Sequence, residues 1–177
     1  MKKYYLFLFC FTLFLFSESL FAQNTVICTE KNVKVKGQIE PTIVKTCTWG
    51  KYRAVSMGES DYKGRYSYTM SLSKLTNGKY LKISNDQLFN ENKNTLLKLI
   101  NQKIKKDFDA FFNDPDNKDC FFGIEGFTYY QFEDLKISFS KSGIDISVSF
   151  GLSGACFALD GTIVSFSFSE LNGYLNN

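Results

Sequence analysis

NKNTLLKLINQKIKKDFDAFF, residues Asn92–Phe112, is the stretch that decides the fold. Its apolar residues Leu97, Ile100, Ile104, Phe108 and Phe111 recur at steps of three and four, which puts them on one face of a helix. Lys98, Gln102, Lys105 and Asp109 repeat at similar spacing on the other face, so one side is suited to a core and the other to water. Before and after this stretch the chain alternates apolar with polar residues at a period of two, the mark of half-buried strands. The expected class is α+β: antiparallel strands packed against one long amphipathic helix, with a short helix at the C-terminus.

Working outward, the C-terminal side is the more regular. Leu135, Ile137 and Phe139 are apolar at odd positions, and Ile144, Ile146, Val148 and Phe150 at even ones. Pairing residue 139 with 144 brings both sets to one face and leaves Lys141 and Ser142 at a hairpin tip. Thr162 to Phe168 again turns even positions inward, after a turn at Asp160-Gly161, and Ser169 is placed to cap a last helical turn over Glu170 to Leu175. On the N-terminal side, Val26 to Val35 and Ile39 to Trp49 form an expected hairpin. Lys51 to Met57 is a third strand, followed by a turn over Gly58 to Asp61. Arg65 to Leu75 sets Tyr66, Tyr68, Met70 and Leu72 against Ser67, Thr69, Ser71 and Ser73, and Asn77-Gly78 turns the chain into a returning strand, Lys79 to Ile83. Asn92 or Asn94 is placed to cap the helix, and Pro115 ends it near Asn113.

The first residues bear on compartment. Lys2 and Lys3 precede an apolar run from Tyr4 to Phe16, too short for the roughly 20 residues a spanning helix needs. Ser17, Glu18 and Ser19 break the run, and Leu20-Phe21-Ala22 offers a small residue before a cut, so residues 1–22 read as a secretory signal peptide cleaved before Gln23. Leu20 is large for that position, and a cut after Ser19 is the alternative. Removing 22 of 177 residues leaves 155, enough for one compact unit: a β-rich part over 23–84 and a helix with antiparallel strands over 85–177. The processed chain keeps 19 basic and 17 acidic residues, a net +2, which calls for no nucleic acid partner. A secreted or periplasmic chain with no stable membrane span is expected.

Cys28, Cys47, Cys120 and Cys156 remain after cleavage, an even number that argues for two disulfides in an exported chain. Of three pairings, Cys28–Cys47 with Cys120–Cys156 is preferred. Residues 28 and 47 are equidistant from Gly37-Gln38, so a tight hairpin there sets them opposite each other, although Pro41 interrupts the second strand. Metal binding is the other reading of four cysteines, but no pair has the two-to-four-residue ligand spacing.

The chain has no histidine, which removes Ser-His-Asp and Cys-His nucleophilic systems and most catalytic zinc sites. Gly151 to Ala155 carries Ser153 in a glycine-flanked turn, but the second glycine of a nucleophile elbow is misplaced and no base accompanies it. Paired carboxylates are the remaining catalytic device: Glu125, Glu133 and Asp134 between strands, Asp107 and Asp109 on the helix. Asp114 to Asp119 has the density of a calcium loop, but a lysine takes its fifth position and the turn glycine is absent. No metal and no cofactor are expected. Trp49, Tyr52, Tyr62 and Arg65 form the candidate aromatic and basic binding surface, against the plainer reading that Tyr66 and Tyr68 are core residues of their strand, which leaves Tyr62 and Arg65 as the only candidates.

Leu99-Ile100-Asn101-Gln102-Lys103-Ile104, Asp107-Phe108, the strand Leu135 to Ser140, Gly143-Ile144-Asp145-Ile146, and Val164 to Phe168 leading to Ser169-Glu170-Leu171 and Tyr174-Leu175 occur in an order that resembles a known family. It is the domain of unknown function at the extracytoplasmic C-terminal end of lysozyme-sensing anti-sigma factors, which also accompanies some peptidoglycan deacetylases. The resemblance covers about half of the chain, from Asn92 onward. Phe150 to Asp160, with Cys156, departs from the family's tyrosine and small-residue stretch. The resemblance implies a binding module without catalysis. The expectation is therefore an exported non-enzymatic domain for a lysozyme-like protein or a cell-envelope component, the alternative being a small carboxylate-dependent hydrolase of envelope glycans.

Overall fold

The computed structural model describes residues 25–35, 40–60 and 66–176. Five strands come first: β1 (Val26–Val33), β2 (Thr42–Trp49), β3 (Tyr52–Ser60), β4 (Tyr66–Thr76) and β5 (Lys79–Ile83) form an antiparallel meander in chain order. The long helix α1 (Lys93–Phe112) follows, and β6 (Lys136–Ser140), β7 (Gly143–Val148) and β8 (Thr162–Ser167) make a second antiparallel sheet. The class is the expected one, α+β, with antiparallel sheets around one long helix among the described residues. It has two sheets, because β6 lies against β2, β3 and β4 while α1 packs beside β8 at the far edge.

The hairpin readings hold in register. Phe139 pairs with Ile144, and Ile137, Phe139, Ile144, Ile146, Val148, Val164 and Phe166 are all buried on one face of the second sheet. Cys28 faces Cys47 across β1 and β2 and the two are disulfide-bonded, as are Cys120 and Cys156. The tip at Gly37-Gln38 lies outside the described residues. Asn77 and Gly78 both have positive φ, the backbone of a two-residue hairpin turn.

Four expectations are corrected. The buried stripe of α1 is Leu96, Ile100, Asn101, Ile104 and Phe108, with Leu97 and Phe111 only half-buried. The helix is rotated from the apolar reading because Asn101 is taken inside: its Nδ2 donates to the Leu97 and Tyr130 carbonyls and its Oδ1 accepts from the Tyr130 N–H. The expected turn at Gly58 is absent, since β3 runs on to Ser60 with the Tyr68 ring lying over Gly58. That glycine fits a strand because a Cβ there would meet the ring. Tyr68 is accordingly 40% exposed and Met70 half-buried, while Leu72 is fully buried. Last, residues 168–174 form successive turns in place of a helix. The end of this segment is held by another part of the chain: Asn90 donates its N–H to the Tyr174 carbonyl and its Nδ2 to the Gly173 carbonyl, and beyond the turns Leu175 bridges Phe89 and Asn176 bonds Gln87, Leu88 and Phe89.

One hydrophobic cluster joins Cys47, Tyr52, Ala54 and Leu72 of the first sheet to Leu96, Ile100 and Ile104 of α1 and to the inner face of the second sheet. No helix among the described residues is long and apolar enough to cross a membrane. The two disulfides fit an extracellular or periplasmic location.

Candidate functional site

Trp49 ends β2 and Tyr52 begins β3, and both are drawn under the C-terminal tail. The Trp49 ring stacks 4.7 Å from Phe168 and 6.0 Å from Tyr52, and lies 6.1 Å from Phe139, so it joins the two sheets. Tyr52 is 2% exposed, and its hydroxyl donates to the Asn176 carbonyl at 3.1 Å. Burial pushes its phenol above the ordinary range. Tyr52 thus offers no surface to a ligand, a correction at that position, and Trp49 is half-buried. Tyr62 and Arg65 lie outside the described residues.

The acidic side chains are spread over separate elements, most of them engaged in holding turns and packing. Asp107 accepts from Thr162 Oγ1 at 2.6 Å, Asp109 pairs with Lys105, and Asp134 accepts from the Gln131 N–H at 2.7 Å. Glu125 and Glu133 are exposed. Asp114 accepts from the Asp116 N–H, capping the short turn Pro115–Asn117, and no group of three metal-ligating side chains occurs among the described residues. Ser153 is exposed and precedes the 3₁₀ segment Gly154–Leu159.

An open groove of about 460 Å³ lies between α1 and the segment that begins in β8. It exists because the helix carries a second stripe beside its core stripe. Thr95, Leu99, Gln102 and Lys106 recur at steps of four, three and four, with Lys103 one turn beyond Leu99. Leu99 is 39% exposed, and Phe166 and Tyr174 form the facing wall. The floor is therefore largely apolar and the rim on the helix side is basic.

The charges of the rim are partly matched. The Lys103 ammonium lies 3.9 Å from the Phe166 ring centroid and donates to the Ser165 carbonyl at 3.2 Å and to Glu170 Oε1 at 3.4 Å. Glu170 in turn accepts from the Ser167 N–H at 2.7 Å and the Ser167 hydroxyl at 2.9 Å. These two bonds, with Lys103 behind them, hold its carboxyl below the ordinary range, so it is ionised at neutral pH. Lys106 has no ion-pair partner among the described residues. A second hollow of about 280 Å³, lined by Asn92, Thr95 and Asn172, meets the groove at Tyr174. From Asn92 to Lys106 the helix advances about 21 Å, which sets the length of the combined trough.

A different apolar feature sits on the Cys120–Cys156 disulfide. Phe122 is 92% exposed and Phe157 is 52% exposed, each two residues or fewer beyond a bonded cysteine, while Phe121 is buried edge-on against Phe108 and Phe112.

None of the groove residues was among the sequence-level site candidates. The signal available was Leu96-Leu97-Leu99: three leucines within one turn cannot all face one core, and only the position of the second sheet decides which is left outside. No family model, no curated protein and no solved structure matches the chain.

Proposed function

We propose that this protein is an exported, non-catalytic binding domain, and that the groove between α1 and β8 receives its ligand, a lysozyme-like protein or a cell-envelope component. The observation that carries the reading is an open trough with an apolar floor, Leu99 left partly exposed in it, and a basic rim. A groove with one carboxylate beside two lysines suits recognition better than a two-carboxylate hydrolysis, which needs both acids in one cleft. The disulfides support function outside the cytoplasm.

The test is retention of the oxidised, processed protein on immobilised lysozyme and on purified peptidoglycan, wild type beside Leu99→Glu. One of the two matrices is expected to retain the wild type. Retention should drop at least tenfold in the variant, whose thermal midpoint stays near that of the wild type because Leu99 is outside the core. Failure of both matrices, or equal retention of the two proteins, overturns the proposal.

A further inference from the structure

By strand order β8 is an edge of its sheet, and the phase of its hydrogen bonds tells which groups are unspent. The Phe168 N–H donates to the Ser142 carbonyl, continuing the β7–β8 register by one residue pair. Antiparallel ladders alternate, so Phe166 and Val164 share backbone bonds with Ile144 and Ile146 while Ile163 and Ser165 turn their N–H and C=O groups to the open side. The Lys103 bond to the Ser165 carbonyl agrees with this phase, since the lysine reaches that carbonyl from outside the ladder. On that same side lies the apolar floor of the groove.

We propose, building on the binding role given above, that the groove takes an extended acidic peptide segment of a partner protein, added as a fourth strand along β8. An added strand lies about 4.8 Å from β8, and every second side chain points toward α1. Such side chains are about 6.8 Å apart, and at a rise of about 1.5 Å per residue Lys103 lies about 6 Å and Lys106 about 10.5 Å beyond Leu99, so an apolar residue over Leu99 is followed two positions on by a residue beside Lys103 and four positions on by one within reach of Lys106. Carboxylates at those two places displace Lys103 from the Ser165 carbonyl, which is then free to accept from the new strand, and meet the unpaired Lys106. The cationic rim thus selects the ligand's charge, and the edge selects its conformation. Without a ligand the lysine over the edge also discourages pairing between copies.

The probe is a fluorescein-labelled peptide in which serines alternate with valine, glutamate and glutamate, read by anisotropy at low salt against a control with lysines for the glutamates. The acidic peptide is expected to bind at least tenfold more tightly than the basic one, and to weaken at least tenfold in Lys106→Glu. Hydrogen exchange of the wild type should show Ile163 and Ser165 amides gaining protection on binding. Ile163→Pro, which removes one outward N–H, should lose binding. Because the exchange measurement needs no variant, a misfolded proline variant leaves the test intact. Absence of binding, equal binding of the basic peptide, or unchanged exchange at Ile163 and Ser165 overturns the proposal. Oligogalacturonate that binds through Lys106 without protecting the edge also overturns it, in favour of an anionic glycan. If Leu99→Glu abolishes envelope retention while the peptide fails, strand addition falls and the binding role stands; if retention also fails, both fall.

Discussion

Asn101 is the best place to test whether the helix is held as described. It is 4% exposed, and its side chain spans from α1 to the segment before β6, answering both backbone polar groups of Tyr130 at 3.0 and 2.8 Å. Asn101→Ala leaves two backbone groups without their partner, at about 1–3 kcal/mol each. Alanine's better helix propensity returns about 0.6 kcal/mol, so a net loss of about 3 kcal/mol is expected. With a urea slope of about 1–3 kcal/mol per molar, the midpoint of a denaturation curve followed by Trp49 emission should fall by about 1–3 M. Asn101→Asp sharpens the test. It keeps the acceptor for the Tyr130 N–H but turns a second oxygen toward the Leu97 and Tyr130 carbonyls, which disfavours the charged form and raises the folded pKa above the ordinary value of about 3.9. Its penalty should be small below that value and grow as pH rises through the folded pKa. An alanine variant losing less than about 1 kcal/mol, or an aspartate variant whose deficit ignores pH, would refute the reasoning.

Two further outcomes follow from features of the chain. Replacing Cys120 and Cys156 by serine should cost up to about 3.8 kcal/mol and replacing Cys28 and Cys47 up to about 3.2, because loops closed across separations of 36 and 19 residues restrain the unfolded chain to those extents; paired urea curves check the order. In acid, Asp86, bonded by Lys93 and Ser84, and Glu170, bonded by Ser167, have folded pKa values lowered from 3.8 and 4.5, so their contributions are present above those values and are lost as pH falls through the folded pKa. Asp86→Asn should flatten the acid limb of a plot of thermal midpoint against pH, and an unchanged limb would count against that assignment.

The strands of the second sheet were legible because one face is buried along their whole length, so alternation and register coincide at Ile137, Phe139, Ile144 and Ile146. The Cys28–Cys47 pair was legible for a similar reason: hairpin arithmetic needs only sequence distance. What escaped depends on contacts between distant segments. Nothing local to Asn101 tells that Tyr130 will need it, and nothing in the tail tells that Asn90 will bond the Tyr174 carbonyl and Phe89 will pair with Leu175. Tyr52 read as peripheral because the tail that covers it, at Asn176, lies 124 residues away. The groove was missed on the same ground, since its far wall is supplied by Phe166 and Tyr174.

The two disulfides follow one another along the chain, 28 with 47 and then 120 with 156, and neither loop encloses the other's cysteines. For a polypeptide threaded through a translocation channel from its amino end, Cys28 and Cys47 meet an oxidant while Cys120 is still on the near side. If the chain is exported as proposed, each of these four thiols emerges with its native mate as the nearest one available, an order that favours the uncrossed pairing.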